Sequence, residues 1–61
     1  MPEDFYHKGF YVTFAEIPGS PLLKGTAVNN DDKIIEMKFI PGPARAIQKK
    51  MKEFIELYAN D

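Results

Sequence analysis

The chain contains no cysteine and a single histidine, His7, in 61 residues. Neither a disulfide framework nor a cysteine-based zinc site is therefore available to stabilise it. A domain of this length buries only about 60% of the surface that its unfolded chain exposes, so it depends on tight packing or self-association. The absence of cysteine also fits a reducing compartment, and we expect a cytoplasmic protein.

Long apolar runs and a strong charge of one sign are missing as well. No stretch approaches the ~20 apolar residues of a membrane-spanning helix, and the start, Met1 to Asp4, is acidic where a signal peptide is basic. Eight lysine and arginine residues stand against nine aspartate and glutamate residues, for a net charge of −1. We expect no membrane insertion, and nucleic-acid binding is disfavoured because such domains usually carry a basic excess.

What the chain does contain is 44% hydrophobic residues, including five phenylalanines and three tyrosines, which is enough for a core. Prolines and glycines divide the chain, and apolar alternation predicts strands over Lys8–Ile17, Leu23–Val28 and Lys33–Ile40. Residues 29–32, Asn-Asn-Asp-Asp, predict a turn that joins the last two strands as a hairpin. Residues 1–7 are interpreted as a tail or an extension of the first strand.

The last third of the chain predicts a helix over residues 43–60. Pro43 suits the first helical position, where its missing N–H costs nothing. Apolar residues then recur at the spacing of one helix face: Ile47, Met51, Phe54, Ile55 and Tyr58. We expect this face to cover sheet residues that share one side of their strands: Phe10, Val12, Phe14, Ile35, Met37 and Phe39.

These elements predict one α+β domain spanning residues 1–61. Its sheet would be three-stranded and antiparallel, in β-β-β-α order, with the C-terminal amphipathic helix packed on one face. Such a sheet leaves its first or third strand as an unpaired edge, which is suited to pairing with another chain.

The charges of the predicted helix run against its dipole. Arg45, Lys49 and Lys52 lie in its first half, whereas Glu53 and Glu56 lie in its second half, and the dipole favours the reverse order. A local rule that is broken without visible compensation can mark a functional surface. Those three basic residues share one stripe beside the free N–H groups of the helix start, where an anion or a phosphate backbone would bind. The simpler interpretation is a solvated face with weak ion pairs.

Motifs for catalysis and for metal binding are missing from the sequence. His7 has no positioned partner for acid–base work. Residues 29–32 lack the glycine and the spaced ligands of a calcium loop, and no phosphate-binding loop is present. We therefore expect no enzymatic activity, no cofactor and no metal.

One short segment has a local resemblance. Residues 9–19, Gly-Phe-Tyr-Val-Thr-Phe-Ala-Glu-Ile-Pro-Gly, resemble the strand-and-turn segment of HicB-like antitoxins. Those proteins continue with Gly-Asp-Thr and a helix, whereas this chain continues with Lys24-Gly25-Thr26 and another strand. The resemblance therefore assigns no residue roles here.

The functional hypothesis is a small non-enzymatic protein-binding or regulatory module that acts through protein–protein contacts as a homodimer. It rests on the apolar-rich short chain and on the absence of a catalytic constellation. The alternative is a nucleic-acid or anion-binding module that uses Arg45, Lys49 and Lys52.

Overall fold

The computed structural model describes residues 1–59. Its elements are β1 (Phe5–His7), β2 (Phe10–Glu16), β3 (Leu23–Val28), β4 (Ile34–Phe39) and α1 (Ala44–Ala59). The strands form one sheet in the order β1-β2-β3-β4, and each pairs antiparallel with the next. The predicted α+β fold with an antiparallel sheet and a C-terminal helix is confirmed. The predicted number of strands is wrong, because the sheet has four.

The additional strand arises from a tight turn at Lys8 and Gly9. Both residues have positive φ, 53° and 82° respectively. This is the pattern of a type I′ turn, whose twist matches that of a β-hairpin. Instead of forming a tail or extending the next strand, residues 5–7 fold back on β2, with His7 opposite Phe10. The predicted first strand therefore lies inside the sheet, and only the predicted third strand, β4, is an edge.

The β3–β4 hairpin depends on Asn29. Its N–H donates to the carbonyl of Lys33 at 3.1 Å. Its side-chain Oδ1 accepts from the N–H groups of Asp31 and Lys33, at 3.0 and 2.9 Å. Asp32 takes the left-handed conformation, φ 60°, which Asp tolerates better than most residues. The loop is therefore fixed by hydrogen bonds that involve both the backbone and the side chain of one residue.

Helix α1 begins one residue later than predicted. The Pro43 carbonyl accepts from the N–H of Ile47 at 3.2 Å, so Pro43 caps the helix and Ala44 is its first residue. The predicted end at Asn60 lies outside the described residues. Within residues 1–59, no helix has the length and apolar character that crossing a membrane requires.

The core lies between α1 and one face of the sheet. Ten hydrophobic residues are buried there: Phe10, Val12, Phe14, Leu23, Ala27, Ile35, Phe39, Ile47, Met51 and Ile55. Leu23 and Ala27 were not among the residues predicted for the core. Met37 is partly buried, since it lies on an edge strand. Phe54 is half-buried at the flank of the helix, beside β4.

Tyr58 does not take its predicted place in the core, because its side chain is 45% exposed. It lies in the last turn of α1, and the Nζ of Lys33 lies 5.7 Å from the centre of its ring. The apolar stripe of α1 that packs on the sheet therefore ends one turn earlier, at Ile55.

Candidate interaction surface

The sheet face opposite α1 carries a row of exposed apolar side chains. Register places Tyr6 opposite Tyr11, Tyr11 opposite Val28, and Val28 opposite Ile34. Their side chains are 77%, 40%, 38% and 61% exposed, in the order Tyr6, Tyr11, Val28 and Ile34. We call these four residues the apolar row. It crosses all four strands and reaches both edges of the sheet.

The two tyrosines of the apolar row are held in place. Their ring centres lie 4.7 Å apart, and the Tyr11 hydroxyl donates to Asp4 Oδ2 at 2.9 Å. That hydrogen bond, followed by the negative charge of Asp4, raises the pKa of Tyr11 above its ordinary value of 10.0. Loss of the phenolic proton would break the bond and place two negative charges together. Positioned aromatic side chains of this kind are common anchors in protein interfaces.

The rest of the open face is polar. The next cross-strand row contains Thr13, Thr26 and Glu36, and the row after it contains Ala15, Lys24 and Lys38. Apolar and charged groups are therefore segregated on this face. The apolar row lies at the end that carries the β1–β2 and β3–β4 turns.

Strand β4 is the longer of the two sheet edges, with six residues against three in β1. The bond from the N–H of Asn29 to the carbonyl of Lys33 sets the alternation of the β3–β4 ladder. Every second residue from Lys33 onwards bonds to β3, and the others turn their backbone groups outward. Ile34, Glu36 and Lys38 therefore present free N–H and C=O groups at this edge.

Apolar groups flank the free edge of β4. Ile34 and Ile40 are 61% and 81% exposed. On the helix side, a groove of about 450 Å³ runs between β4 and α1, and Met37 and Phe54 are among its lining residues. Lys50, on α1, also lines the groove. Hydrogen-bonding groups and apolar side chains thus occur together along one edge.

The three residues of the predicted basic stripe of α1, Arg45, Lys49 and Lys52, are all exposed, and an anion site there stays a prediction. The Nζ of Lys52 also lies 5.4 Å from the ring centre of Phe5. Glu56 Oε2 lies 3.2 Å from His7 Nε2, within hydrogen-bond distance, and no lysine or arginine among residues 1–59 forms a salt bridge with a carboxylate. The i,i+4 pairs from Lys49 to Glu53 and from Lys52 to Glu56 do not form. Two of the charges that oppose the helix dipole, Lys52 and Glu56, therefore have contacts in β1, the strand that the sequence interpretation missed.

A second concave region lies at the other end of the sheet. A depression of about 670 Å³ is lined by the β2–β3 loop and by residues that include Pro2, Pro41 and Ile47. Glu16 is the one ionisable side chain in its lining within the described chain. From Met1 to Ala59, no group of three or more His, Asp or Glu side chains is placed to hold a metal ion.

Sequence reasoning missed most of the apolar row. Tyr6 fell in the predicted tail, whereas Val28 and Ile34 were assigned to the second and third predicted strands without a surface role. The pairing of Tyr6 with Tyr11 depends on the register that the β1–β2 turn sets. Lys8-Gly9 is a weak sequence signal for that turn, since Asn-Gly is the usual one.

Comparison with known proteins assigns this chain to no family. No family model matches the chain, and neither a curated protein nor a solved structure matches it. The resemblance of residues 9–19 to the HicB-like segment therefore stands on those residues alone.

Proposed function

We propose that this chain is a small protein-interaction module that acts as a homodimer through the β4 edge. One observation carries the proposal: the apolar row ends on an unpaired edge strand, and Ile34 belongs to both features. Free strand edges pair readily with other chains, and contiguous exposed apolar residues mark interaction sites.

The exposed isoleucines supply part of the free energy that association needs. Burying an isoleucine side chain completely stabilises by about 1.5–3 kcal/mol. Ile34 and Ile40 are 61% and 81% exposed, so four such side chains in a dimer contribute about 4–9 kcal/mol. Association itself costs about 4–15 kcal/mol. The isoleucines therefore offset only part of this cost, and the inter-chain backbone hydrogen bonds of a strand pair, at about 0.5–1.5 kcal/mol each, must supply the rest. We expect a dimer of moderate affinity, with a Kd in the micromolar range.

Sedimentation equilibrium with paired variants tests this proposal. Ile34→Lys places a charge at the β4 edge and should shift the chain to monomer. Tyr6→Lys is the matched control, because Tyr6 is also well exposed in the same row but lies on the opposite edge, β1. Equal loss of association in both variants, or in neither, would remove the β4 edge from the proposal.

A further inference from the structure

We propose that β4 of one copy pairs antiparallel with β4 of a second copy, about a two-fold axis that passes through Met37. The two four-stranded sheets would then form one continuous sheet. The inference rests on the proposed homodimer and specifies its register. Isologous pairing of this kind closes at two copies, because each chain uses its single long edge.

Backbone geometry limits the possible registers. Inter-chain hydrogen bonds require that outward-facing residues of one β4 lie opposite outward-facing residues of the other. The outward residues are Ile34, Glu36 and Lys38, as set by the bond from Asn29 to Lys33. The two-fold axis must therefore pass through a residue of β4, and the possible positions run from Ile35 to Phe39, both included.

Charge selects among these registers. An axis through Glu36 sets two glutamates opposite each other, and an axis through Lys38 sets two lysines opposite each other. Like charges in directly opposed positions destabilise a sheet. An axis through Met37 instead sets Glu36 of each copy opposite Lys38 of the other. An axis through Ile35 or Phe39 places a charged residue opposite an isoleucine and shortens the overlap between the two β4 strands.

The Met37 register also pairs the exposed apolar residues. Ile34 of each copy lies opposite Ile40 of the other, and these side chains are 61% and 81% exposed in the single chain. Ile34 lies on the open face together with Glu36 and Lys38, and pairing with a second copy would extend this alternation by one residue to Ile40, which directly follows β4. About eight inter-chain backbone hydrogen bonds would form across the four opposed pairs. Pro41, which follows Ile40, has no N–H to continue the ladder.

The helix side of the edge fits the same axis. Met37 points toward α1, is partly buried and lines the groove between β4 and α1 with Phe54. The axis brings the two Met37 residues together as a non-hydrogen-bonded pair, with Cα atoms about 4.5 Å apart. The two grooves then meet at the axis, where flexible methionine side chains suit an irregular gap.

The charges on the β4 edge restrict which strands can pair with it. Charged residues on an edge strand usually prevent pairing with other strands. Under a two-fold axis through Met37, Glu36 of each copy faces Lys38 of the other, so the charges of two identical strands are complementary. Strands with other charges, or the same strand in another register, would pair less favourably.

Charge reversal tests the register. Glu36→Lys and Lys38→Glu each place like charges opposite one another twice, and each should weaken self-association at least about tenfold. An equimolar mixture should form a heterodimer, because two lysines of one chain then face two glutamates of the other. The double variant Glu36→Lys/Lys38→Glu should dimerise again. Lys49→Glu, on the exposed surface of α1, is the control and should leave association unchanged.

Cysteine crosslinking gives an independent readout, because the chain has no cysteine of its own. Met37→Cys should form an inter-chain disulfide on mild oxidation, since the expected Cα separation of about 4.5 Å lies within the disulfide range. Faster crosslinking of Glu36→Cys or of Lys38→Cys would assign the axis to those residues and overturn the inference. The charge variants involve exposed side chains, so the test remains even if Met37→Cys folds poorly.

The outcomes separate the register from the proposed function. A native dimer that is indifferent to both charge reversals and does not crosslink through Met37→Cys would overturn the register and leave the homodimer standing. A native chain that is monomeric at every concentration would overturn both.

Discussion

Replacing Gly25 with alanine tests how the helix packs on the sheet. Gly25 is buried in β3, where register places it between Phe14 and Met37. A Cβ atom at this position would lie 2.9 Å from Phe39 Cε2, 3.2 Å from Phe14 Cε1 and 3.3 Å from Met51 Sδ. The first distance is shorter than a carbon–carbon contact allows, so the core must shift.

The neighbours of Gly25 have little room to move. Phe39, Phe14 and Met51 are 6%, 7% and 0% exposed, and they surround the position from both strands and from α1. Overpacking of this kind costs about 1–3 kcal/mol. Reduced freedom of the unfolded chain offsets about 0.4–1 kcal/mol. The net loss, about 1–2 kcal/mol, is large beside the roughly 3–9 kcal/mol expected for a chain of this length.

Thermal unfolding followed by circular dichroism measures this effect. A loss of 1–2 kcal/mol should lower Tm by about 4–16 °C in a domain of this size. Gly42→Ala is the matched control, because its nearest neighbour would be Ile40 O at 3.9 Å and its φ suits alanine. Both variants need the same protein concentration, since dimerisation raises Tm. An unchanged Tm for Gly25→Ala would refute the close packing of Met51 over β3.

Three further predictions concern the β1 hairpin, a tyrosine and the basic stripe. Lys8→Asn supplies the Asn-Gly pair that type I′ turns prefer and should raise the free energy of unfolding by about 0.5–1 kcal/mol in urea. The pKa of Tyr11 is raised in the folded state, so its hydrogen bond to Asp4 stabilises the fold at pH values below the unfolded pKa of about 10. That stabilisation is lost as pH rises through the folded pKa. Asp4→Asn should therefore lower the pKa of Tyr11 in a spectroscopic tyrosinate titration. If the stripe is only solvated, the native chain should not bind DNA at low salt; binding that is lost in Arg45→Glu/Lys49→Glu would support the alternative function.

The helix and the larger strands follow from the sequence because local periodicity specifies them. Ile47, Met51 and Ile55 repeat at intervals of four, which one helix face alone satisfies, and all three are buried. Strand β1 was missed for an equally local reason. Its three residues are too short to show alternation, and Lys8-Gly9 is an uncommon composition for the turn that reverses the chain.

The surroundings of the charged helix surface were less predictable from the sequence, because they depend on contacts between residues far apart in the chain. Lys52 and Glu56 are two of the charges whose positions oppose the helix dipole. Their contacts, Phe5 and His7, lie about fifty residues earlier and become neighbours only once β1 has folded back. The helix sequence alone cannot show such contacts, so two of the charges that oppose the dipole have neighbours that only the fold reveals.

The mass of the native chain in solution tests the central claim most directly. Sedimentation equilibrium across micromolar concentrations should give a mass that approaches twice the 7.0 kDa of one chain. Because a dimer of moderate affinity obeys mass action, the average mass should rise with concentration and then level at the dimer value. A constant mass of 7.0 kDa throughout that range would contradict a homodimer built on the β4 edge.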